Sequence, residues 1–192
     1  IISPALANKR NEGAFLLSPD GKTSVMINEE DHIRIQTIED GLSLKECWKL
    51  SNEVDDIIEE SVDYAFDREL GYITACPTNI GTGMRASVML HLPALSITNQ
   101  IDKLLYGVSQ LGVAVRGVYG EGTKSIGHLY QISNQGTLGA SEETLIDKIN
   151  QIVMQIIDKE KNTREHLMKN NYDDLEDDFY RAYGLLTNAR KM

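Results

Sequence analysis

Three arginines sit where a charge is costly. Arg34 lies in His32-Ile33-Arg34-Ile35-Gln36, Arg85 in Gly83-Met84-Arg85-Ala86-Ser87-Val88-Met89-Leu90, and Arg116 in Val113-Ala114-Val115-Arg116-Gly117-Val118. Most of the 19 basic residues fall in helical or loop stretches, but these three are embedded in strand-like runs among apolar neighbours. Desolvating an unpaired charge costs several kcal/mol, so each needs a partner. Internal ion pairs or placement on an edge strand would satisfy them. A shared anion site would do so equally well, because the planar guanidinium fork grips phosphate oxygens and stays charged.

A second reactive group accompanies each arginine. Glu30 is four residues before Arg34. Glu121 is five residues after Arg116, inside Tyr119-Gly120-Glu121-Gly122. Cys76 is nine residues before Arg85, at the head of Cys76-Pro77-Thr78-Asn79-Ile80-Gly81-Thr82-Gly83. A lone cysteine usually behaves as a small hydrophobe, and a loop glutamate is usually just solvated. Three strand-to-loop junctions built alike are harder to dismiss. Gly81-Thr82-Gly83 lacks the third glycine of a dinucleotide fingerprint, and no Gly-Lys-Ser/Thr of a phosphate loop or protein-kinase signature is present. A phosphate bound here would be held by arginine side chains rather than by a backbone cradle.

Several elements must position these groups. Ala14–Ser18 and Thr23–Asn28 read as a hairpin around the turn Pro19-Asp20-Gly21-Lys22, and His32–Ile38 as a third strand. Residues 1–13 read as a connector. Ser43 with Glu46 forms the pattern of a capping box before a helix bearing Leu44, Cys47, Trp48, Val54, Ile57, Ile58, Val62 and Ala65 at helical spacing, ending before Gly71. Trp48 belongs to its core stripe. Short strands are expected over Tyr72–Ala75 and Arg85–Leu92, the second stopped by Pro93. A helix over Asn99–Gln110 precedes strands at Gly112–Val118 and Leu129–Ser133. Ser141 caps a long helix with Glu142 and Glu143 in its first turn and a stripe of Leu145, Ile149, Ile152, Val153, Ile156 and Ile157. Tyr172–Met192 is acidic, helical and amphipathic. Hairpin-linked strands between long helices imply an α/β chain of the α+β type, a mainly antiparallel sheet flanked by helices.

Composition narrows the function. At 192 residues, 41% apolar and 25% charged, the chain is long enough for a real core without disulfides. A net charge of -10 argues against direct nucleic-acid binding. No apolar run approaches the ~18 residues of a membrane span, and Ile1-Ile2-Ser3-Pro4 opens no signal-peptide pattern. Cys47 and Cys76 fit no metal spacing or disulfide framework and suit a reducing cytosol.

The three junctions resemble the ATP:guanido phosphotransferase family. Asn28-Glu29-Glu30-Asp31-His32-Ile33-Arg34 is similar to its Asn-Glu-Glu-Asp-His-Leu-Arg segment. Cys76 to Asn79, Gly81-Thr82 and Arg85 to Val88 are similar to the signature around its reactive cysteine, and Arg116 to Glu121 to its third active-site segment. Ile132-Ser133-Asn134 is similar to a further family segment, and the order and spacing agree across residues 14–160. Within the family, Gly81 to Leu95, Tyr130 to Gly139 and Tyr180 to Arg190 resemble the bacterial branch that phosphorylates arginine in proteins. Creatine kinases carry valine where Glu121 stands, and metabolic members carry histidine where Met89 stands.

The resemblance implies a catalytic domain of guanido kinases over residues 1–160, a C-terminal helical extension over 161–192, and a longer parent protein of which this chain is the middle. Family members begin earlier with a Ser-Ser-Arg-x-Arg segment that binds ATP phosphates, and the protein-arginine branch continues past Met192. The implied reaction moves the γ-phosphoryl group of ATP to an arginine guanidinium in a protein. Glu30, Cys76 and Glu121 would be catalytic: the two carboxylates would orient the guanidinium and draw off a proton, with Glu30 as base, and Cys76 as thiolate would polarise it. Nucleotide contacts would come from Arg34, from Arg85, Ala86, Ser87, Val88 and Met89, and from Arg116, Gly117, Val118, Tyr119, Gly120 and Glu121. Mg2+ would be held mainly by phosphate oxygens, with no protein metal site. Implied partners are a heat-shock repressor and damaged proteins as substrates, a zinc-binding activator and, indirectly, the Clp protease, all in the cytoplasm. Three other readings stay open: a metabolic kinase acting on free arginine, a nucleotide-binding regulatory module without chemistry, and a structural domain with buried ion pairs.

Overall fold

Residues 23–27 alternate in burial as a half-covered strand should, while Ala14–Leu17, apolar throughout, pairs beside them as an exposed edge strand. The computed structural model describes residues 2–8, 12–117 and 125–190. Residues 4–8 form a short helix, α1 (Pro4–Asn8), where a connector was expected; its Leu6 is buried. Strands β1 (Ala14–Leu17), β2 (Thr23–Ile27) and β3 (Ile33–Thr37) make an antiparallel sheet in that order. Asp20 ties the first turn by accepting from the Ser18 hydroxyl and the Lys22 N–H. In register, Met26 opposes Arg34 and Val25 opposes Ile35.

Helix α2 (Leu44–Glu59) lies on β3, where the Thr37 hydroxyl donates to the Cys47 carbonyl at 2.9 Å. The capping box is absent. Ser43 instead donates its hydroxyl to the Asp40 carbonyl, and no side chain closes the first turn. The helix stops well before Gly71 because its apolar face runs out: Ile57 and Val62 are exposed. The Tyr64 hydroxyl then donates to the Asp55 carboxylate at 2.9 Å and folds the chain back along the helix. The strand expected over 72–75 shrinks to a ribbon of β4 (Phe66–Asp67) and β5 (Gly71–Tyr72).

A second antiparallel sheet holds β6 (Ser87–His91), β7 (Val113–Gly117) and β8 (Leu129–Asn134), ordered β6-β8-β7. Arg85 thus precedes its strand rather than lying in it. Pro93 does more than end β6: it opens helix α3 (Pro93–Ile97), where its missing N–H costs nothing. Helix α4 (Ile101–Ser109) leads into β7. The long helix α5 (Glu142–Asn170) begins as its cap predicts, with Ser141 Oγ accepting from the Thr144 N–H at 3.3 Å.

One face of the second sheet carries Val88, Leu90, Tyr130, Ile132 and Val113, all buried. Against it pack Leu105 and Val108 of α4 and Ile146, Ile149, Val153 and Ile156 of α5. Each such side chain contributes about 1.5–3 kcal/mol. Leu44 and Trp48 of α2 join this cluster, and Lys45 pairs with Asp147 at 2.9 Å, so the first sheet is tied to the second through α2 and α5. Glu160 of α5 is buried, its two carboxylate oxygens accepting the Ala94 and Leu95 N–H groups at 3.0 Å each. Arg164 neutralises it at 3.1 Å. Beyond lies α6 (Tyr172–Asn188), with Phe179, Tyr180 and Tyr183 exposed. Among the described residues no helix is long and apolar enough to cross a membrane. The architecture is the expected α+β one, with its antiparallel strands divided between two sheets and a ribbon.

Candidate active site

The turn between β2 and β3 presents Glu30. Asn28 takes a left-handed φ of 56°, tolerable for asparagine, and its N–H donates to the His32 carbonyl at 2.8 Å. Glu30 is exposed at the tip. Its neighbour Glu29 is only 7% exposed and organises the turn. One Glu29 oxygen accepts the Glu30 N–H at 2.7 Å, and the other lies 3.3 Å from an Arg34 terminal nitrogen. A hydrogen bond with Ser3 holds the Glu29 carboxyl below the usual range, helped by the Glu30 N–H and Arg34 and opposed by burial. Arg34 is therefore partnered by Glu29 rather than by Glu30, a role the sequence did not single out.

Cys76 is half-buried and extended, and Pro77 directly after it opens a 3-10 turn, Pro77–Asn79. Its Sγ lies 2.9 Å from the Thr78 hydroxyl. The loop is fixed from behind by Thr137, whose hydroxyl donates to the Thr78 and Ile80 carbonyls at 3.1 and 2.7 Å. The Thr82 N–H donates to the Thr137 carbonyl at 2.9 Å. Gly81 is required here: its φ is 114°, and a Cβ would run into the Thr137 carbonyl oxygen. Tyr72 exchanges backbone hydrogen bonds with Gly81 at 2.8 and 3.3 Å. Its hydroxyl donates to Asp55 at 3.3 Å, and burial with that carboxylate pushes its pKa up to about 12.

The two loops touch. The Ala75 N–H donates to Asp31, and the Asn79 side-chain amide lies 3.3 Å from the other Asp31 oxygen and 3.5 Å from a Glu30 oxygen. The turn that carries Glu30 is thereby joined to the loop that carries Cys76 across 44 to 49 residues of sequence.

Arg116 belongs to β7 of the second sheet, and Arg85 lies two residues before β6. Arg116 is directly opposite Gln131, which is directly opposite Met89, so the three share the face turned away from the core. Ser87 lies on that face too, opposite Ser133, and Met89 is 58% exposed. The alternation continues upstream: Ala86 is buried and Arg85 exposed. Ala86 and Val88 therefore turn their side chains into the core and can offer a nucleotide only their backbone. Asn134, buried at the end of β8, secures the Arg85 segment. Its Oδ1 accepts the Ala86 N–H at 2.8 Å, and its amide donates to the Met84 and Gly136 carbonyls at 3.0 and 2.9 Å. Among the described residues neither Arg85 nor Arg116 pairs with a carboxylate, and both are exposed. Gly117 closes β7. Val118, Tyr119, Gly120 and Glu121 lie outside the described residues. Among the described residues no group of three or more His, Cys, Asp or Glu could hold a metal ion.

Residues 1–163 match the C-terminal catalytic domain of the ATP:guanido phosphotransferases. The protein-arginine kinase of Caldanaerobacter subterraneus subsp. tengcongensis is 52% identical over 192 residues, which are 100% of this chain and 57% of that protein. The protein-arginine kinase of a Geobacillus species is 54% identical over 190 residues, 99% of this chain and 52% of its own length. This chain spans about half the length of the curated relatives it matches. Among solved structures, the duplicated taurocyamine kinase from Schistosoma mansoni with bound transition-state analogue components superposes with a TM-score of 0.71 at 29% identity, covering 85% of this chain and 22% of that one.

Proposed function

This chain belongs to the ATP:guanido phosphotransferase family, and from that membership we propose that its parent protein transfers the γ-phosphoryl group of ATP to arginine side chains in proteins. The observation that carries the chemistry is the junction of the Glu30 turn with the Cys76 loop through Asp31 and Asn79. The relatives' identity, above 50% along almost the whole chain, supports a protein-bound arginine as acceptor.

A guanidinium stays protonated at neutral pH and is a poor nucleophile. Exposed Glu30 can accept one of its N–H groups and take the proton as phosphorus is attacked, with Glu121 as the second carboxylate. The Cys76 thiolate, beside the same turn, would stabilise the cation while it is being aligned. Arg85 just before β6 and Arg116 on the sheet face turned away from the core, with Arg34 set by Glu29, would neutralise the transferring phosphoryl group and the leaving ADP. Mg2+ would arrive with the nucleotide, held by phosphate oxygens, and would supply charge neutralisation there. Catalysis is then alignment and charge stabilisation rather than covalent chemistry. By family resemblance the acceptors would be cytoplasmic stress substrates, a heat-shock repressor and damaged proteins, with a zinc-binding activator as partner and the Clp protease involved only indirectly.

The test uses the full-length protein, ATP and an arginine-rich protein beside free arginine. Acid-labile phosphate on the protein supports the proposal, and phosphate on free arginine alone would assign a metabolic kinase. Binding of ATP without any transfer would assign a regulatory module. Glu30→Gln should lower the rate about 10²-fold or more while leaving nucleotide binding intact. An unchanged rate in Cys76→Ser would reduce that thiol to a packing residue.

A further inference from the structure

We infer that Asp31 is a positioning residue that sets the placement of Cys76 relative to Glu30. This inference rests on the proposed roles of those two groups. Glu30 belongs to a turn of the first sheet, held by Glu29 from within. The Cys76 loop is held by Thr137 at the edge of the second sheet. Neither anchorage fixes the gap between them. Asp31 crosses that gap with both carboxylate oxygens. One accepts the Ala75 N–H, 44 residues away, and the other faces the Asn79 amide, 48 residues away. Ala75 and Asn79 bracket Cys76, so the thiol lies in a short span of chain pinned at both ends by one side chain.

Asp31 is itself directly bonded to Glu30 through the backbone, and the Asn79 amide also reaches the Glu30 carboxylate at 3.5 Å. The three groups form a closed link in which a shift of Asp31 displaces acid and thiol together. Asp31 is half-buried and its oxygens are occupied by these donors, so it acts through its neighbours rather than on a substrate atom.

The experiment compares Asp31→Ala and Asp31→Asn in the full-length protein. Asparagine keeps an oxygen for the Ala75 N–H, removes the charge, and keeps the second link by donating its Nδ2 to the Asn79 Oδ1 once that amide flips; alanine removes both links. Two measurements are made: kcat and KM for ATP, and the iodoacetamide labelling rates of Cys76 and Cys47 read separately by peptide mapping. Cys47 lies on α2 and reports whether the fold is intact. For Asp31→Ala the expected result is a kcat about 10²-fold lower with KM for ATP little changed. Cys76 labelling rises several-fold while Cys47 labelling stays the same. Asp31→Asn should recover most of both properties. The inference is overturned if Cys76 labelling is unchanged in Asp31→Ala. It is equally overturned if Cys47 labelling rises in step, or if Asp31→Asn is as impaired as Asp31→Ala, which would make the charge and not the placement decisive. A wild-type protein that phosphorylates no arginine would remove the proposed function, yet the labelling contrast would still decide for or against Asp31.

Discussion

Replacing Asn134 tests whether the Arg85 segment is held by a side chain rather than by the sheet. Its amide makes three hydrogen bonds, to the Ala86 N–H at 2.8 Å, the Met84 carbonyl at 3.0 Å and the Gly136 carbonyl at 2.9 Å. Each is worth about 1 kcal/mol net, and a buried N–H left without an acceptor loses about 1–3 kcal/mol. Asn134→Ala should therefore cost about 3–5 kcal/mol, measured as the fall in unfolding free energy in urea followed by circular dichroism. Because Met84 and Ala86 flank Arg85, the same substitution in the parent protein should also lower the proposed phosphoryl transfer, about 10²-fold in kcat for a displacement near 1 Å. Asn134→Asp separates the contributions. It keeps the acceptor for Ala86 but sets a carboxylate against two carbonyl oxygens, so it should be no more stable than the alanine variant. A cost below about 1 kcal/mol for Asn134→Ala would refute the reasoning, as would an aspartate variant indistinguishable from wild type.

Glu160→Ala should destabilise by about 3 kcal/mol, since two backbone N–H groups at the start of α3 lose a charged acceptor; urea unfolding measures it, and a near-neutral result would mean that water replaces the carboxylate. Gly81→Ala should disturb the Cys76 loop through strain at φ 114° and the clash with Thr137, read as altered Cys76 labelling together with lost activity. The Glu29 carboxyl titrates below its ordinary value in the folded chain, so its contribution is present above the unfolded pKa and is lost as pH falls through the folded one. Thermal melts below about pH 4.5 should therefore show a steep acid limb, and Glu29→Gln should flatten it; an unaltered limb would detach Glu29 from acid stability.

What could be read from the chain itself was whatever is local. The alternation in Thr23–Ile27 and Ile33–Thr37 gave strands, and Ser141 with the apolar stripe behind it gave α5 with its cap. The segments around Glu30 and Cys76 were found by residue order. Position in space was not legible, because its causes are distant. Ser43 has the pattern of a cap but spends its hydroxyl on Asp40. Pro93 signals the end of a strand and equally the start of a helix, and only the packing of α5 against α3 decides. Glu29 and Glu30 are the same residue type side by side; burial, which comes from the N-terminal segment and Arg34, tells them apart. Glu160 reads as one more solvated helix acid until α3 is placed over it. Asn134 and Thr137 bond to groups 48 to 59 residues away, and no periodicity records that.

The stretch from Asn134 to Thr137 supports both the Arg85 segment and the Cys76 loop. Its first residue grips the chain around a guanidinium, and its last braces the bend that carries the thiol. Damage there would imitate loss of a reacting group in any genetic screen. A single inserted residue between them would displace the Arg85 segment and the Cys76 loop relative to one another at once.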